Sequence, residues 1–213
     1  MEKAEDLKTR VKVVIRSLKK MYPESRLALD FNSPLELLIA LILAAQCTDD
    51  RVNMVTPGLF RKYRTAKDWM ETSRAELEEE IHSTGFYRQK AASIQKCATK
   101  LVEEFKGDVP RKLEDLLTLP GVGRKTANIL RGNAFGDPAI GVDTHVGRLS
   151  FRLGFTKETE PDKIEADLME LVPRVEQVKF CPLIQTHGRQ VCIARKPKCE
   201  ECQIRELCPK QGL

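Results

Sequence analysis

Apolar residues recur along most of the chain at the three- or four-residue spacing of amphipathic helices. One series lies near the N-terminus, a second precedes Gly107, and a third ends before Gly154. No alternating apolar and polar run typical of a strand is present, nor is there an internal repeat or a low-complexity segment. The pattern predicts an all-α fold. The three series are Leu7, Val11, Val14, Ile15 and Leu18; Ala91, Ile94, Ala98, Leu101, Val102 and Phe105; and Val146, Leu149 and Leu153.

Capping signals mark two helix starts. Ser33-Pro34-Leu35-Glu36 combines an N-cap serine, a first-turn proline and a capping-box glutamate, and Ser73 with Glu76 repeats the serine and the glutamate. The helix after Ser33 is apolar on every side through Gln46, which predicts a place at the centre of a core. Gly136-Asp137-Pro138 is the best candidate for a boundary between two lobes.

Composition narrows the setting of the protein. The 213 residues carry a net charge of +5, which permits nucleic-acid binding without requiring it. The chain opens into charged residues rather than a secretion signal, and its longest apolar run, Leu37–Ala45, is too short to span a bilayer. We therefore expect an intracellular protein, in the cytoplasm or at the nucleoid, with no membrane partner.

A glycine turn between two predicted helices carries the first candidate chemistry. The run Leu119-Pro120-Gly121-Val122-Gly123-Arg124-Lys125-Thr126 follows a short helix from about Arg111 to Leu117 and opens a helix from about Arg124 to Phe135. Backbone amides at Gly121 and Gly123 are free of side chains and suit a DNA phosphate. The dipole of the second helix disfavours the charged form of Lys125, which favours a reactive amine. The alternative is an ordinary surface lysine on a plain turn.

An aspartate stands at the next predicted helix start, in Gly141-Val142-Asp143-Thr144-His145-Val146. Asp143 is predicted to be an N-cap residue, and a capping role without any catalytic role is one alternative. An ionised carboxylate held there can also stabilise positive charge on a sugar ring or take a proton from an amine. Asp143 and Lys125 together supply a nucleophile and an electrostatic partner.

Four of the seven cysteines crowd the C-terminal end. Cys192, Cys199, Cys202 and Cys208 have six, two and five residues between them. Only one close pair is present, so tetrahedral zinc is the weaker alternative, and four thiolates suit a [4Fe–4S] cluster. Three cations in the first interval predict a second phosphate contact, and the alternative is a solvated loop that balances thiolate charge. Those cations are Arg195, Lys196 and Lys198.

The stretch Leu119–Arg148 resembles the DNA glycosylases of the helix-hairpin-helix, Gly/Pro-rich loop, aspartate superfamily, and its lysine points to the endonuclease III branch. The resemblance also covers Leu37–Thr48 and the cysteine-rich end, whose spacing matches the cluster loop of that branch. It implies that Lys125 attacks C1′ of a damaged nucleotide with Asp143 as its partner, and that β-elimination then cuts the strand. It also implies two helical lobes on either side of a DNA cleft.

Further expectations follow from the resemblance. One lobe is the helical barrel with the hairpin, residues 27–135, and the other joins residues 1–26 to residues 136–213 and carries the cluster. A glycosylase that extrudes its target base must fill the gap, and the resemblance gives this wedge role to Gln46 and Phe86. For Phe86, ordinary packing is an equal alternative. Arg124 joins the hairpin glycines as a DNA contact.

The sequence thus predicts a base excision repair glycosylase with AP lyase activity on oxidised or damaged pyrimidines in duplex DNA. We expect a monomer that binds DNA containing damaged bases or abasic sites. One alternative is a mismatch-specific glycosylase without strand cleavage, for example one that removes adenine or thymine. Two others are a non-catalytic DNA-binding module and a zinc protein mistaken for an iron–sulfur protein.

Overall fold

A computed structural model describes residues 3–213, and over this range the chain is built from α-helices and short 3-10 turns, with no β-strand. The all-α prediction is therefore confirmed. None of the described helices is long and apolar enough to cross a membrane. The helices are α1 (Ala4–Met21), α2 (Pro34–Leu43), α3 (Asp49–Lys62), α4 (Ala66–Glu71), α5 (Arg74–Glu80), α6 (Tyr87–Phe105), α7 (Leu113–Leu116), α8 (Arg124–Phe135), α9 (Thr144–Arg152), α10 (Pro161–Leu171) and α11 (Gln177–Gln190).

The chain divides into two compact units. The internal unit is Leu27–Phe135, and the terminal unit joins the chain up to Arg26 to Gly136–Leu213. The second boundary lies directly before Gly136-Asp137-Pro138. Each unit has its own cluster of buried apolar side chains.

Helix α2 lies in the core of the internal unit. Leu37, Leu38 and Leu43 are fully buried on different sides of the helix, as its continuous apolar sequence requires. The Ser33 hydroxyl accepts a hydrogen bond from the Glu36 amide, which confirms the predicted N-cap. The Glu36 carboxylate instead accepts from the backbone amide and side-chain amide of Asn32, so the predicted reciprocal capping box does not form.

Two other predicted helix limits differ from the structure. The apolar helix ends at Leu43 rather than Gln46, because Gln46 has a φ of 52° that a right-handed helix cannot contain. Helix α7 begins at Leu113 rather than near Arg111, because Lys112 is still extended. Ser73 is the N-cap residue of α5 but its side chain makes no capping bond there.

In the terminal unit, α1 packs against α11 and α10. Val11, Val14, Ile15 and Leu18 of α1 are buried, which confirms the helical spacing found in the sequence. They join α9 and α11 side chains in one core, and burial of each large aliphatic side chain contributes about 1.5–3 kcal/mol. This core supports the start of α9 and the end of α11, where the candidate site residues of this unit lie.

Candidate functional site

The predicted hairpin consists of α7, a glycine turn and α8. Gly121 has a φ of 83°, and a Cβ added there would lie 3.0 Å from Cβ of Ser93, so both the backbone and the neighbour require glycine. The Gly123 carbonyl accepts the first hydrogen bond of α8, from the Ala127 amide at 2.9 Å. Apart from the glycine itself and its chain neighbours, no atom of the described residues lies within 4 Å of a Cβ built on Gly123. The turn therefore presents an open backbone at the start of a helix.

Lys125 lies in the first turn of α8 and is exposed to solvent. The predicted helix start at Arg124 is confirmed, and the Arg124 side chain is half-buried. Amides in the first turn of a helix have no partner within that helix and carry its positive dipole end. An amine beside such amides is well placed to act next to a bound phosphate.

Asp143 is the N-cap residue of α9, as predicted. Its Oδ1 accepts a hydrogen bond from the Val146 amide at 2.7 Å, while its Oδ2 accepts one from Nε2 of Gln185 at 2.9 Å. Both carboxylate oxygens are therefore fixed in direction, and the side chain remains half-buried. No sequence pattern points to Gln185, because its partner lies 42 residues away at the start of another helix.

The two predicted catalytic residues belong to different units. Lys125 is held by α8 of the internal unit, and Asp143 by α9 of the terminal unit. Each lies at the beginning of its helix, where the surrounding backbone groups are still open to a ligand.

Gln46 and Phe86 both lie in turns of the internal unit. Gln46 is exposed with a φ of 52°, and Phe86 is 60% exposed with a φ of 49° just before α6. Left-handed conformations are uncommon for residues with bulky side chains and often accompany function. The alternative in which Phe86 is packed is wrong, because most of its side chain faces solvent.

The four C-terminal cysteines line one pocket, together with Arg152 and other side chains of the terminal unit. Burial and the neighbouring thiolates both raise the pKa of Cys202. Within the described residues, no three or more His, Cys, Asp or Glu side chains converge on the position of one metal ion. A shared pocket with four thiol donors fits a [4Fe–4S] cluster, whose ligands are commonly four cysteine thiolates.

Two buried or half-buried arginines of α9 hold the loop that begins at Cys192. Arg148 Nη2 donates to the carbonyls of Gly188 and Cys192, at 3.2 and 3.0 Å. Arg152 donates to the carbonyls of Ile193 and Ala194, both at 2.8 Å, and lies 3.4 Å from the Cys192 sulfur. Neither arginine was predicted as a site residue. The spacing of Arg152, three residues after Leu149 on the buried face of α9, is a sequence signal that points to it.

His187 packs beside the same pocket. It is buried, its Nδ1 lies 2.9 Å from the Tyr22 hydroxyl, and its Nε2 lies 3.5 Å from the Cys202 sulfur. Burial lowers the pKa of His187 to about 4, so the ring is neutral near pH 7. No sequence pattern points to Tyr22 either, because its partner His187 lies 165 residues away.

The loop between Cys192 and Cys199 projects its cations outward. Arg195, Lys196 and Lys198 are all exposed. Lys196 has a φ of 54°, and the Lys198 amide bonds the Val191 carbonyl at 3.0 Å, which closes the loop. The loop is thus an ordered basic surface beside the cysteine pocket. Cys97 and Cys181 are buried elsewhere in the two cores.

Known protein families match both the hairpin region and the cysteine-rich end of this chain. Residues 39–174 match the HhH-GPD superfamily of base excision DNA repair proteins, and residues 192–208 match the iron-sulfur binding domain of endonuclease III. Endonuclease III of Synechocystis is 53% identical over 210 residues, 98% of this chain and 96% of that protein.

Solved structures are similar over nearly the whole chain. A trapped endonuclease III–DNA covalent intermediate has a TM-score of 0.88 at 43% identity and covers 95% of this chain and 96% of its own. A thermostable thymine-DNA glycosylase has a TM-score of 0.87 at 26% identity, with 95% and 96% covered. The cysteine pocket, the glycine turn and the capped aspartate all fall within the regions of similarity.

Proposed function

Since the chain belongs to the endonuclease III family of base excision DNA repair proteins, we propose that Lys125 and Asp143 carry out its reaction on damaged DNA. The protein is a DNA glycosylase with AP lyase activity and carries a [4Fe–4S] cluster. The observation that supports the residue assignment best is the exposed Lys125 amine in the first turn of α8, directly behind the glycine turn.

In this proposal the Lys125 amine attacks C1′ of the damaged nucleotide. A bond forms between Nζ and C1′, the glycosidic bond breaks, and the base leaves with the bonding electrons. The carboxylate of Asp143 stabilises the positive charge that develops on the sugar and accepts a proton from the attacking amine. The hydrogen bonds from Val146 and Gln185 fix the direction of both carboxylate oxygens for these tasks.

The strand break follows from the covalent intermediate. The nitrogen lone pair then forms a C1′ imine as the C1′–O4′ bond breaks and O4′ takes up a proton. This imine makes a C2′ proton acidic, and loss of that proton expels the 3′ phosphate by β-elimination. Water then hydrolyses the imine and releases the lysine. A glycosylase without the lysine can only remove the base, so strand cleavage is the activity that depends on Lys125.

Main-chain amides and side-chain cations bind the DNA backbone. The open turn at Gly121 and Gly123 donates amide hydrogen bonds to a phosphate, and Arg124 adds charge beside it. The cysteines bind the [4Fe–4S] cluster, which when bound ties four thiolates together and stiffens the loop. That loop presents a second set of phosphate contacts: Arg195, Lys196 and Lys198.

The substrate of this chain is a damaged base in duplex DNA, with oxidised or ring-damaged pyrimidines as the main class, and abasic sites. Gln46 and Phe86 fill the gap that the extruded nucleotide leaves, because both are exposed and held in turns. One chain carries the full set of proposed groups, so it acts as a monomer. We propose that it acts on chromosomal DNA in the nucleoid.

The test uses a panel of duplexes with a 5′ label. The panel holds an abasic site, an oxidised pyrimidine, a G·T mismatch and undamaged DNA. We expect the wild type to nick the abasic and oxidised-pyrimidine duplexes and Lys125→Ala to nick neither. Asp143→Asn should slow base removal, because the neutral amide cannot accept the amine proton. Removal of thymine without any nicking would support the mismatch-specific alternative and would contradict the proposal.

A further inference from the structure

Lys90 is a buried lysine that the proposed reaction does not use. Its side chain lies at the N-terminal end of α6 and is only 4% exposed. Nζ donates to the Leu43 carbonyl at 2.7 Å and to the Thr84 carbonyl at 2.8 Å. Lysine is almost never buried without partners, so these two hydrogen bonds account for its position.

The two acceptor carbonyls lie two or three positions before the two proposed wedge residues. Leu43 is the last residue of α2, three positions before Gln46. Thr84 ends the 3-10 turn His82–Thr84, two positions before Phe86. One ammonium group therefore connects a turn that is distant in sequence to the turn at the start of its own helix.

Both connected turns are conformationally unusual. Gln46 and Phe86 have positive φ values, and Gly85 between Thr84 and Phe86 has a φ of 70°. Such conformations persist only where surrounding contacts hold them. Lys90 supplies a contact of this kind to each turn at once, because an ammonium has three donors and can serve several carbonyls.

We propose that Lys90 is a positioning residue that holds the Gln46 turn and the Phe86 turn in a fixed relative arrangement for base extrusion. The inference rests on the proposed wedge role of these two residues. Both side chains are proposed to fill the same gap in the duplex. If one turn shifts, its side chain no longer enters that gap, and the extruded conformation of the nucleotide is less stable. Lys90 touches neither DNA nor the reacting atoms in this account.

The surroundings of Lys90 agree with a linking role. Burial lowers its pKa, and the nearby Cys47 has the opposite effect on that pKa. Cys47 directly follows Gln46. The ammonium is therefore close to the Gln46 turn itself, and not only to the Leu43 carbonyl. Both acceptors are backbone carbonyls, and a hydrogen bond to a carbonyl fixes the course of the main chain rather than the rotamer of a side chain.

The decisive variant is Lys90→Met, which keeps a flexible apolar stem and removes all three donors. Gln95→Met is the matched control on the same helix: its amide donates to the Thr72 carbonyl at 2.7 Å and accepts from Arg74 at 2.6 Å. Those contacts also tie separate segments of the internal unit, but they hold no proposed wedge residue. Lys90→Arg retains a charge with several donors and serves as the conservative variant.

Single-turnover base removal is compared on a lesion in paired duplex and on the same lesion in an unpaired bubble, where no stacked gap has to be filled. For Lys90→Met we expect a fall of about tenfold or more on the duplex and under about threefold on the bubble, because small misplacements of a support cost large factors in rate. Gln95→Met should change both rates alike, and Lys90→Arg should recover part of the duplex rate. Equal losses on the two substrates would overturn the proposal.

Amide hydrogen exchange measured by mass spectrometry gives a readout that does not depend on catalysis. Lys90→Met should speed exchange in both peptides that contain the two turns, whereas Gln95→Met should leave both unchanged. Faster exchange in one turn alone, or in neither, would contradict the link. If the wild type fails to act on any DNA, the proposed function fails and the exchange result still decides whether Lys90 couples the turns.

Discussion

Arg152 ties the loop between Cys192 and Cys199 to helix α9, and Arg152→Met removes that tie while keeping most of the aliphatic stem. The guanidinium is buried and reaches two consecutive carbonyls of the loop, Ile193 and Ala194, at 2.8 Å each. The backbone carbonyl of Arg152 lies 3.3 Å from the Cys208 sulfur, and the substitution does not change this main-chain group. The change is therefore confined to one end of the basic loop.

The expected loss of stability follows from these contacts. A hydrogen bond with a charged partner contributes about 1.5–3 kcal/mol, so two of them amount to roughly 3–6 kcal/mol. Removing a buried charge recovers part of its desolvation cost, which offsets some of that sum. We expect Arg152→Met to lower the free energy of unfolding by about 3 kcal/mol, with little change from packing because methionine fills the stem volume.

Arg205→Met is the matched control, since Arg205 lies within the cysteine-rich segment but pairs with Glu200 and Glu206 at the surface. Exposed pairs of this kind contribute about 0–1 kcal/mol. Denaturant unfolding followed by far-UV circular dichroism compares the two variants. We also expect Arg152→Met to need more abasic DNA for half-maximal nicking, because the loop cations lose their fixed position. Equal unfolding free energies for the two variants would refute the reasoning.

Three further substitutions test the hairpin and the carboxylate. Gly121→Ala should lower the unfolding free energy by about 1–2 kcal/mol in a denaturant titration, because φ is 83° and the new Cβ meets Ser93 at 3.0 Å. The Cβ that Gly123→Ala adds has open space, so this variant should lower the unfolding free energy by under about 1 kcal/mol. It should nevertheless weaken binding to DNA by roughly tenfold in a fluorescence anisotropy titration. Unchanged binding would show that Gly123 does not contact a phosphate. Gln185→Leu frees Oδ2 of Asp143 and should lower kcat for nicking by about tenfold with little change in KM, which steady-state kinetics measures; a rise in KM alone would contradict an effect through Asp143.

The sequence was most informative where a local pattern determines a local structure. The helical spacing of Val11, Val14 and Leu18 predicted a buried face that the structure contains. Asp143 was predicted as an N-cap because the helical pattern begins directly after it, and capping depends only on the next three residues. The glycine turn followed from the same kind of short-range constraint.

Long-range contacts were out of reach of such patterns. Gln185 and Lys90 reach partners 42 and 47 positions away, so no spacing rule connects them. The end of α2 was placed three residues too late, because apolar character continues through Ala45 while the backbone has already turned. The Glu36 carboxylate accepts from the Asn32 amide instead of the Ser33 amide. This partner depends on the direction from which the chain enters the helix rather than on residue type.

The central claim is that Lys125 becomes covalently attached to DNA during the reaction. Borohydride reduction of the protein with abasic duplex, followed by protease digestion and mass spectrometry, measures this directly. We predict one adduct on Lys125, its loss in Lys125→Ala with an unchanged circular dichroism spectrum, and its retention in Lys112→Ala, which alters another exposed lysine of the hairpin. An adduct on a different amine, or undiminished trapping by Lys125→Ala, would contradict the account.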